Sequence, residues 1–535
     1  MSNSFLILIG ILTPLFAALF SYLCKYNSNL RDSFGIIGGL ITLLVSLKIF
    51  HGIQNNELFQ ITFFTLFEGV DFTFKVSYLG SIFSLVASSL WILASIYTIG
   101  YMRGAGEKNQ TRFVIFYSIA IHAALAIAWS GNLLVLFIFY EILTFSTFPL
   151  VGHKQNAESQ SAGRLYLSIL VGTSLIFFLP AIFWIWLETG TLNFQDGGIL
   201  VNKFPSEYLS FLIAMLVFGI GKAAIMPIHR WLPAAMVAPT PVSALLHAVA
   251  VVKAGVFSFL VVIVYIVGPE FLLQTKSSDW LVWLACFTIM ASSIIAITKD
   301  DLKARLAYST ISQLSYIILG AALASSLALK GASFHIVTHA LGKITLFFCA
   351  GAIYVTAHIK KVSELKGMGY KLPLIFFAYT LGALSIIGVP PFVGSWSKFY
   401  LIMGSIEREF IIVAIILGIS SLLNIYYLLQ PVVIGFIQST KKEIKLIKAP
   451  LTVWPPLITG LGCLVFFFYS YYFILLAINY YCYFIRHIRC YIIYEVIKLP
   501  PWYKITLLYC IRTLYKLVFD YILHHILKSI NFYWY

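Results

Sequence analysis

The chain alternates between long apolar stretches and short polar ones. An apolar stretch of about 20 residues crosses a bilayer as a helix, because lipid offers the backbone no hydrogen-bonding partner outside the helix. The stretches predict about 14 transmembrane helices, beginning near residues 3, 34, 78, 113, 132, 165, 208, 241, 280, 306, 331, 372, 409 and 453. No polar stretch is long enough to fold as a water-soluble domain. We therefore predict an all-α polytopic membrane protein.

Composition and charge agree with a membrane location. Of 535 residues, 60% are hydrophobic and 10% are charged, whereas soluble domains carry roughly 25% charged residues. The net charge of +16 would suggest nucleic-acid binding in a soluble protein, but basic residues also mark cytoplasmic loops. The odd-numbered loops hold 19 Lys and Arg residues and the even-numbered loops hold 6. This asymmetry predicts an N-terminus outside the cell and a multi-pass protein of the bacterial inner membrane, without nucleic acid as a partner.

Five ionisable residues fall inside the predicted spans: Glu141, Lys222, Lys253, Lys343 and Lys398. A charge at the middle of a bilayer costs at least about 2.5–3.5 kcal/mol, so such residues face a bundle interior and usually mark function. The alternative for each is a packing salt bridge or a side chain that extends to the membrane surface. That alternative fits Lys398 best, because it lies near a helix end. As a set, the five residues indicate a route for protons or cations.

Two pairs of features suggest how such a route works. Glu141 and Lys222 lie in the fifth and seventh predicted helices, and a buried acid and base that separate and rejoin form a protonation switch. Pro227 and the Pro390–Pro391 pair lie close in sequence to Lys222 and Lys398, where a proline frees backbone carbonyls and breaks a helix. The alternative for these prolines is an ordinary kink. We predict broken helices and a Glu141–Lys222 pair.

Histidines occur beside two of the lysines. His247 and Lys253 are six residues apart on the eighth helix, so they lie on different faces and suit consecutive stations of a path. His335, His339 and Lys343 follow at i, i+4 and i+8 on the eleventh helix, which places them on one stripe. Histidines at i and i+4 can bind zinc, but no carboxylate or cysteine is near in sequence. Because histidine titrates near neutrality, we interpret the stripe as a proton relay without a metal.

Other polar residues within the spans are open to two interpretations. Ser309, Ser312 and Gln313 follow a charged loop and would either hydrate a path or form bonds between helices. His122 stands alone in the fourth helix and is interpreted as a core residue.

Redox and nucleotide chemistry find no sequence support. The seven cysteines are scattered without a C-x-x-C pair, and neither a phosphate-binding G-x-x-x-x-G-K-[ST] loop nor a G-x-G-x-x-G fingerprint is present. We predict no cofactor and no catalytic site in this chain. Residues 479–535 are rich in Tyr and Ile, and fit a lateral interfacial helix, a further crossing from about Ile505, or an extension without fixed order.

Several segments together resemble one family, the antiporter-like membrane subunits of respiratory complex I (NADH:quinone oxidoreductase) and of Mrp-type cation/proton antiporters. The resemblance covers roughly residues 80–430. The matching segments are YEILT around Glu141, GKAAIMPIHRWLPAAMVAPTPVSALLHAVAVVKAG at 221–255, DDLKARLAYSTISQLSYI from Asp300, HIVTHALGKITLFFCAG at 335–351 and GVPPFVGSWSK at 388–398.

The resemblance implies a domain plan. Residues 1–110 would form helices 1–3, and residues 111–270 a first five-helix repeat, helices 4–8. Residues 271–438 would form a second, inverted repeat, helices 9–13, and residues 439–535 helix 14 and the tail. The seventh and twelfth helices would be the broken ones.

The resemblance also implies roles. Glu141 and Lys222 would form the pair of the first half-channel, and His247 and Lys253 its link to the centre. His335, His339 and Lys343 would form the central relay. Lys398 would be the terminal site, occupied by Glu in one of the complex I subunits.

Lysine at both 253 and 398 is more similar to the Mrp D subunit or the complex I subunit N than to the largest complex I subunit, which typically lacks the first of them. We expect a proton/cation-translocating subunit of a monovalent cation/proton antiporter. The alternatives are the equivalent subunit of an NADH:quinone oxidoreductase, or an interaction scaffold with a vestigial polar axis. The expected partners are other membrane subunits, lipid, protons and Na⁺ or K⁺.

Overall fold

A computed structural model describes residues 3–437 and 446–482 of the chain. Most of these residues are helical. The helices are α1 (Asn3–Leu23), α2 (Ser28–Gln54), α3 (Tyr78–Gly104), α4 (Gln110–Ala128), α5 (Leu133–Val151), α6 (Ala157–Thr189), α7a (Ser206–Gly219), α7b (Trp231–Ala234), α8 (Thr240–Val267), α9 (Asp279–Thr298), α10 (Leu302–Leu323), α11 (Ser326–Ala357), α12a (Pro373–Ile387), α12b (Gly394–Glu407), α13 (Ile411–Ile437) and α14 (Trp454–Cys482). Short helices Pro269–Thr275 and Met368–Lys371 lie in connections.

The predicted polytopic helical architecture is confirmed. Within the described residues, twelve helices are long and apolar enough to cross a membrane, and α7a and α12a are shorter apolar helices. Some helices begin before the apolar stretch that predicted them, because polar caps start them early. Asn27 and Asn156 accept hydrogen bonds from the first turns of α2 and α6, which satisfies otherwise unpaired N–H groups.

One segment departs from the all-helical prediction. Gln60–Phe67 (β1) and Val70–Lys75 (β2) pair as an antiparallel hairpin between α2 and α3. These residues lie between predicted spans, so the argument that lipid permits only helices does not apply to them. Their alternating aromatic residues and the left-handed glycine at 69 are typical of a hairpin.

Burial is concentrated in three helices. α8 is wholly buried and α10 and α11 nearly so, whereas less than half of the most apolar part of α2 and of α13 is buried. Helix α3 reaches the same centre, since Tyr97 donates a hydrogen bond to the Phe348 carbonyl of α11 (3.0 Å). The buried helices α8, α10 and α11 are therefore the ones with room for polar side chains away from lipid.

The seventh and twelfth helices are interrupted. α7a ends at Gly219 and α7b begins at Trp231, with Pro227 in the non-helical stretch between them. α12a ends at Ile387 and α12b begins at Gly394, with Pro390 and Pro391 between them. At depth in a membrane protein, such non-helical backbone is tolerated where protein surrounds it.

Residues 479–535, for which the sequence suggested three alternatives, lie largely outside the described part of the chain, which ends at Cys482 in α14. The three alternatives for that segment stay predictions.

Close packing of α11 against α12b generates a stability prediction. A methyl group at Gly404 would lie 2.4 Å from the backbone nitrogen of Ala328, whereas one at Gly418 on α13 would meet open space. We expect Gly404→Ala to destabilise the protein by about 1–3 kcal/mol through overpacking. Gly418→Ala should be neutral or stabilise slightly, because alanine favours helix. Thermal unfolding in detergent measures both, and equal melting temperatures for the two variants would contradict this packing.

Candidate functional site

Lys222 lies in the interruption of the seventh helix and is fully buried. Its ammonium donates hydrogen bonds to the Tyr140 carbonyl (2.7 Å) and to Thr144 Oγ1 (2.6 Å) of α5. The Nζ atom also lies 3.1 Å from the centre of the Tyr140 ring, a cation–π contact. The backbone N–H of Lys222 donates to the Tyr140 hydroxyl (3.0 Å). Tyr140 therefore fixes both the backbone and the charge of Lys222.

Glu141 and Lys222 form no direct ion pair in this arrangement, and the protonation switch predicted for them stays a prediction. No ion pair joins them in the described part of the chain, and both carboxylate oxygens of Glu141 are buried there without a hydrogen-bond partner. The reason is the helix geometry of α5. Tyr140 and Thr144 are one turn apart and share the face towards Lys222, whereas Glu141 is turned by about 100°. Lys222 is thus held by neutral oxygens, and Glu141 stands beside it unpaired.

The middle of the bundle brings Lys253 and His339 together. Lys253 on α8 and His339 on α11 are both fully buried, and Lys253 Nζ lies 2.7 Å from His339 Nδ1. An ammonium only donates and an imidazole nitrogen without hydrogen only accepts, so a single proton bridges these two atoms. Two charges at this distance would repel each other, so the pair holds at most one charge.

His247 lies 4.6 Å from the Phe347 ring, centre to centre, in a stacked arrangement. Neither of its ring nitrogens has a hydrogen-bond partner among the described residues. It occupies a π-helical turn, Leu245–Val249, inside α8. Such turns often accompany functional sites, and this one places an unpaired imidazole in the centre of the protein.

The stripe on α11 reaches three different elements. His339 meets Lys253 of α8, His335 Nδ1 lies 2.8 Å from Ser397 Oγ of α12b, and Lys343 Nζ donates to Ser309 Oγ of α10 (2.6 Å). The two imidazoles stack with ring centres 5.8 Å apart. Within residues 3–437 and 446–482, no group of three His, Cys, Asp or Glu side chains is placed to hold a metal ion. One helix therefore joins the middle of the bundle to the second interrupted helix.

Lys398 lies in α12b, directly after Ser397. Its ammonium donates to the Ile387 carbonyl at the end of α12a (2.9 Å) and to Ser421 Oγ of α13 (2.9 Å). The Tyr316 ring centre is 5.1 Å from Nζ. Only 5% of the residue is exposed, so the side chain does not extend to a water surface. The carbonyl at a broken helix end provides the acceptor.

Comparison with known proteins identifies the family. The profile described as NADH:quinone oxidoreductase/Mrp antiporter, TM, matches residues 130–424, which is more than half of the chain. The chain belongs to this antiporter-like family.

Relatives in the family are membrane subunits of oxidoreductases. NADH-quinone oxidoreductase subunit N of Desulforudis audaxviator is 32% identical over 63% of this chain and 67% of its own length. Subunit L of Campylobacter jejuni is 30% identical over 74% of this chain and 64% of its own length. Chloroplastic NAD(P)H-quinone oxidoreductase subunit 5 of Phaseolus vulgaris is 30% identical over 67% of this chain, but the match spans only 49% of that relative.

Solved structures share the fold. A chain of the membrane-bound sulfane sulfur reductase, an archaeal respiratory membrane complex, aligns over 89% of this chain and 96% of its own length, with a TM-score of 0.78 and 21% identity. A chain of the Mrp complex from Dietzia sp. DQ12-45-1b aligns over the same shares, with a TM-score of 0.78 and 19% identity.

Sequence reasoning about this antiporter-like chain missed the acceptors of the lysines. Tyr140, Thr144, Tyr316 and Ser421 contact Lys222 or Lys398, but hydroxyl residues are common inside apolar helices and carry little signal. Tyr140 and Thr144 are four residues apart, before and after Glu141, and this spacing could have predicted that they share a face towards Lys222.

The sequence left two interpretations open for Ser309, Ser312 and Gln313, hydration of a path or bonds between helices, and the structure gives these residues different surroundings. Ser309 contacts Lys343, and Ser312 lies 3.0 Å from Ser293 of the neighbouring helix α9. Gln313 is buried with neither side-chain amide atom partnered in the described residues. His122 Nδ1 lies 2.7 Å from the Ile11 carbonyl, a contact that joins α4 to α1.

The acceptor role of Thr144 generates a prediction. Thr144→Val removes one of the two oxygens that hold the Lys222 ammonium, and should destabilise the protein by about 1–3 kcal/mol because a buried charge loses a partner. Thr380 is a matched control, since it is also buried and its hydroxyl bonds the carbonyl four residues earlier in its own helix (2.8 Å). Thr380→Val should therefore cost less. Thermal unfolding of both variants tests this, and an equal loss would remove Thr144 as a specific partner of Lys222.

Proposed function

We propose that this chain is a proton/cation-translocating membrane subunit of a multisubunit monovalent cation/proton antiporter, of the Mrp D type. The observation that carries the proposal is the row of buried lysines. Lys222, Lys253, Lys343 and Lys398 are at most 5% exposed, and none has a carboxylate partner within the described residues. A stabilising salt bridge would include an acid, so packing alone does not account for these charges.

Each station of the proposed route holds a proton in a different way. Lys222 and Lys398 bind to carbonyl and hydroxyl oxygens next to interrupted helices, where a small backbone movement changes the number of acceptors. Lys253 and His339 share one proton. Glu141, buried and unpaired, gains a proton or a cation partner when charge moves at Lys222.

The relay in the proposed route follows α11. A proton taken up at the first half, through Lys222 and Glu141, reaches the centre at His247 and Lys253. It continues along the stripe of Lys343, His339 and His335 and leaves through Lys398, beside Ser397. We further propose that residues 111–270 and 271–438 are the two inverted repeats of this route, and that the N-terminus faces outward.

The second candidate is a proton-pumping subunit of an NADH:quinone oxidoreductase. The names of the relatives favour it, because subunits N and L belong to such enzymes. In that case, the complex performs the redox chemistry and this chain moves protons. We propose in either case that it works with other membrane subunits.

The ion-coupling experiment separates the two candidates. The complex that co-purifies with the chain in mild detergent is reconstituted into liposomes that contain a fluorescent pH probe. An antiporter dissipates an imposed pH gradient when NaCl or KCl is added, but not when choline chloride is added. An oxidoreductase instead builds a gradient when NADH and a quinone are added. If the wild-type complex gives neither response, the scaffold alternative is the one that remains.

Charge removal at the first station gives a second prediction. Lys222→Met keeps the side-chain length without the charge and should lower proton transport by at least roughly tenfold, equivalent to about 1.4 kcal/mol on the barrier. Lys276→Met is the control, because Lys276 is an exposed loop residue. Initial rates of pH change in the same liposomes measure both. Wild-type rates in Lys222→Met and in Glu141→Gln would contradict the proposed route.

A further inference from the structure

Tyr427 of α13 is held at its backbone by a buried arginine. In a helix, the Tyr427 carbonyl would accept from the N–H of residue 431, but that residue is Pro431, which has none. Arg305 of α10 replaces it: Nη1 donates to the Tyr427 carbonyl (3.2 Å) and to Gln430 Oε1 (2.6 Å). Nε of Arg305 donates to the Lys299 carbonyl (2.8 Å). Although its sequence position suggests a cytoplasmic loop, Arg305 is only 3% exposed.

The side-chain end of Tyr427 meets the same helix. Its hydroxyl lies 3.0 Å from Ser309 Oγ, and Ser309 accepts from the Lys343 ammonium (2.6 Å). Arg305 and Ser309 are four residues apart and so lie on one face of α10. One face of α10 therefore contacts both the backbone carbonyl and the hydroxyl of Tyr427. Through Ser309, the same face contacts Lys343, a lysine of the proposed route.

Ser309 is a shared acceptor in this cluster. Lys343 can only donate, so Ser309 accepts from its ammonium, and the Tyr427 hydroxyl also donates to Ser309 Oγ. Asn424 Oδ1 is a second acceptor for the Tyr427 hydroxyl. Two donors therefore share the oxygen of Ser309, and the Tyr427 hydroxyl competes with the Lys343 ammonium for it.

We propose that Tyr427 is a positioning residue that acts on Lys343 through Ser309. Arg305 holds Tyr427 in place, because Pro431 leaves the Tyr427 carbonyl without a backbone donor. The inference rests on the proposed function and adds α13 to the elements that control the central relay. It also links the cytoplasmic loop before α10 to the relay, since Lys299 and Arg305 are joined.

Other ionisable groups act on the same region. Those that interact electrostatically with Lys343 or Tyr427, or bond to Tyr427, are Lys253 and His247 on α8, His339 on α11, Arg305 and Tyr316 on α10, and Tyr379 on α12a. Removing the hydroxyl group of residue 427 leaves the side chains of all of them in place. A change in pH response is therefore assigned to the two lost hydroxyl contacts, of which only Ser309 also bonds Lys343.

Tyr427→Phe tests the proposal, because it keeps the ring and removes the hydroxyl. Ser309 then accepts from Lys343 alone, the charged lysine is more favoured, and a lower proton concentration loads it. The midpoint of the transport–pH profile should shift towards alkaline pH by roughly 0.5–1 unit. Tyr426→Phe is the control, because Tyr426 is adjacent on α13 but 58% exposed, and its midpoint should equal that of the wild type.

The arginine is tested by a rescue. Arg305→Gln should lower the melting temperature in detergent and shift the same profile to alkaline pH, because a displaced Tyr427 no longer competes for Ser309. Adding Pro431→Ala supplies the missing N–H, so the double variant should recover at least half of the lost melting temperature.

Three results would decide against the assignment in different ways. An unchanged midpoint in Tyr427→Phe, with transport lost in Lys343→Ala, would overturn the positioning role and leave the proposed function intact. No recovery in the double variant would overturn the role of Arg305. Absence of proton movement in the wild-type complex would remove the proposed function itself, and the positioning role with it.

Discussion

The structure depends on one constraint: an ammonium group buried among helices must find oxygen or nitrogen acceptors, because a buried charge without a partner is costly. Lys222, Lys343 and Lys398 solve it with hydroxyl and carbonyl oxygens, and Lys253 solves it with an imidazole. A carboxylate would bind each ammonium more tightly. Neutral acceptors keep the charged and uncharged forms closer in free energy, which a group that exchanges protons requires.

The interrupted helices follow from the same need. Carbonyl groups inside a regular helix are already bonded to N–H groups four residues later. Ile387, at the end of α12a, has a carbonyl free to accept from Lys398, and Lys222 lies in the interruption of the seventh helix. Pro431 achieves the same result within an otherwise continuous helix, by removing one N–H group. In each case a break in backbone bonding lies beside a cationic side chain.

The sequence predicted the elements whose signal is collective and missed those decided by a single rotation or contact. Long apolar stretches mark the helices, and twelve helices in the described residues are long and apolar enough to cross a membrane, whereas α7a and α12a are shorter apolar helices. The β-hairpin is short and amphipathic and gave no such signal. The position of Glu141 depended on which of several neighbouring residues of α5 faces Lys222. Arg305 was counted with the loops because charge alone suggests a surface, whereas a free carbonyl four residues before Pro431 draws it inward.

Like charges limit how the row can be occupied. Lys253 and His339 are in contact, and Lys343 follows His339 by one helical turn on the same stripe of α11, so full protonation of all three would place three positive charges together without an acid. Loading one station therefore makes its neighbour less able to hold a proton. This repulsion passes along α11 without any large movement of the helix. In the proposed route, the deeply buried α11 would carry this repulsion, and the neighbouring interrupted helices would supply the backbone movement that loading and release need.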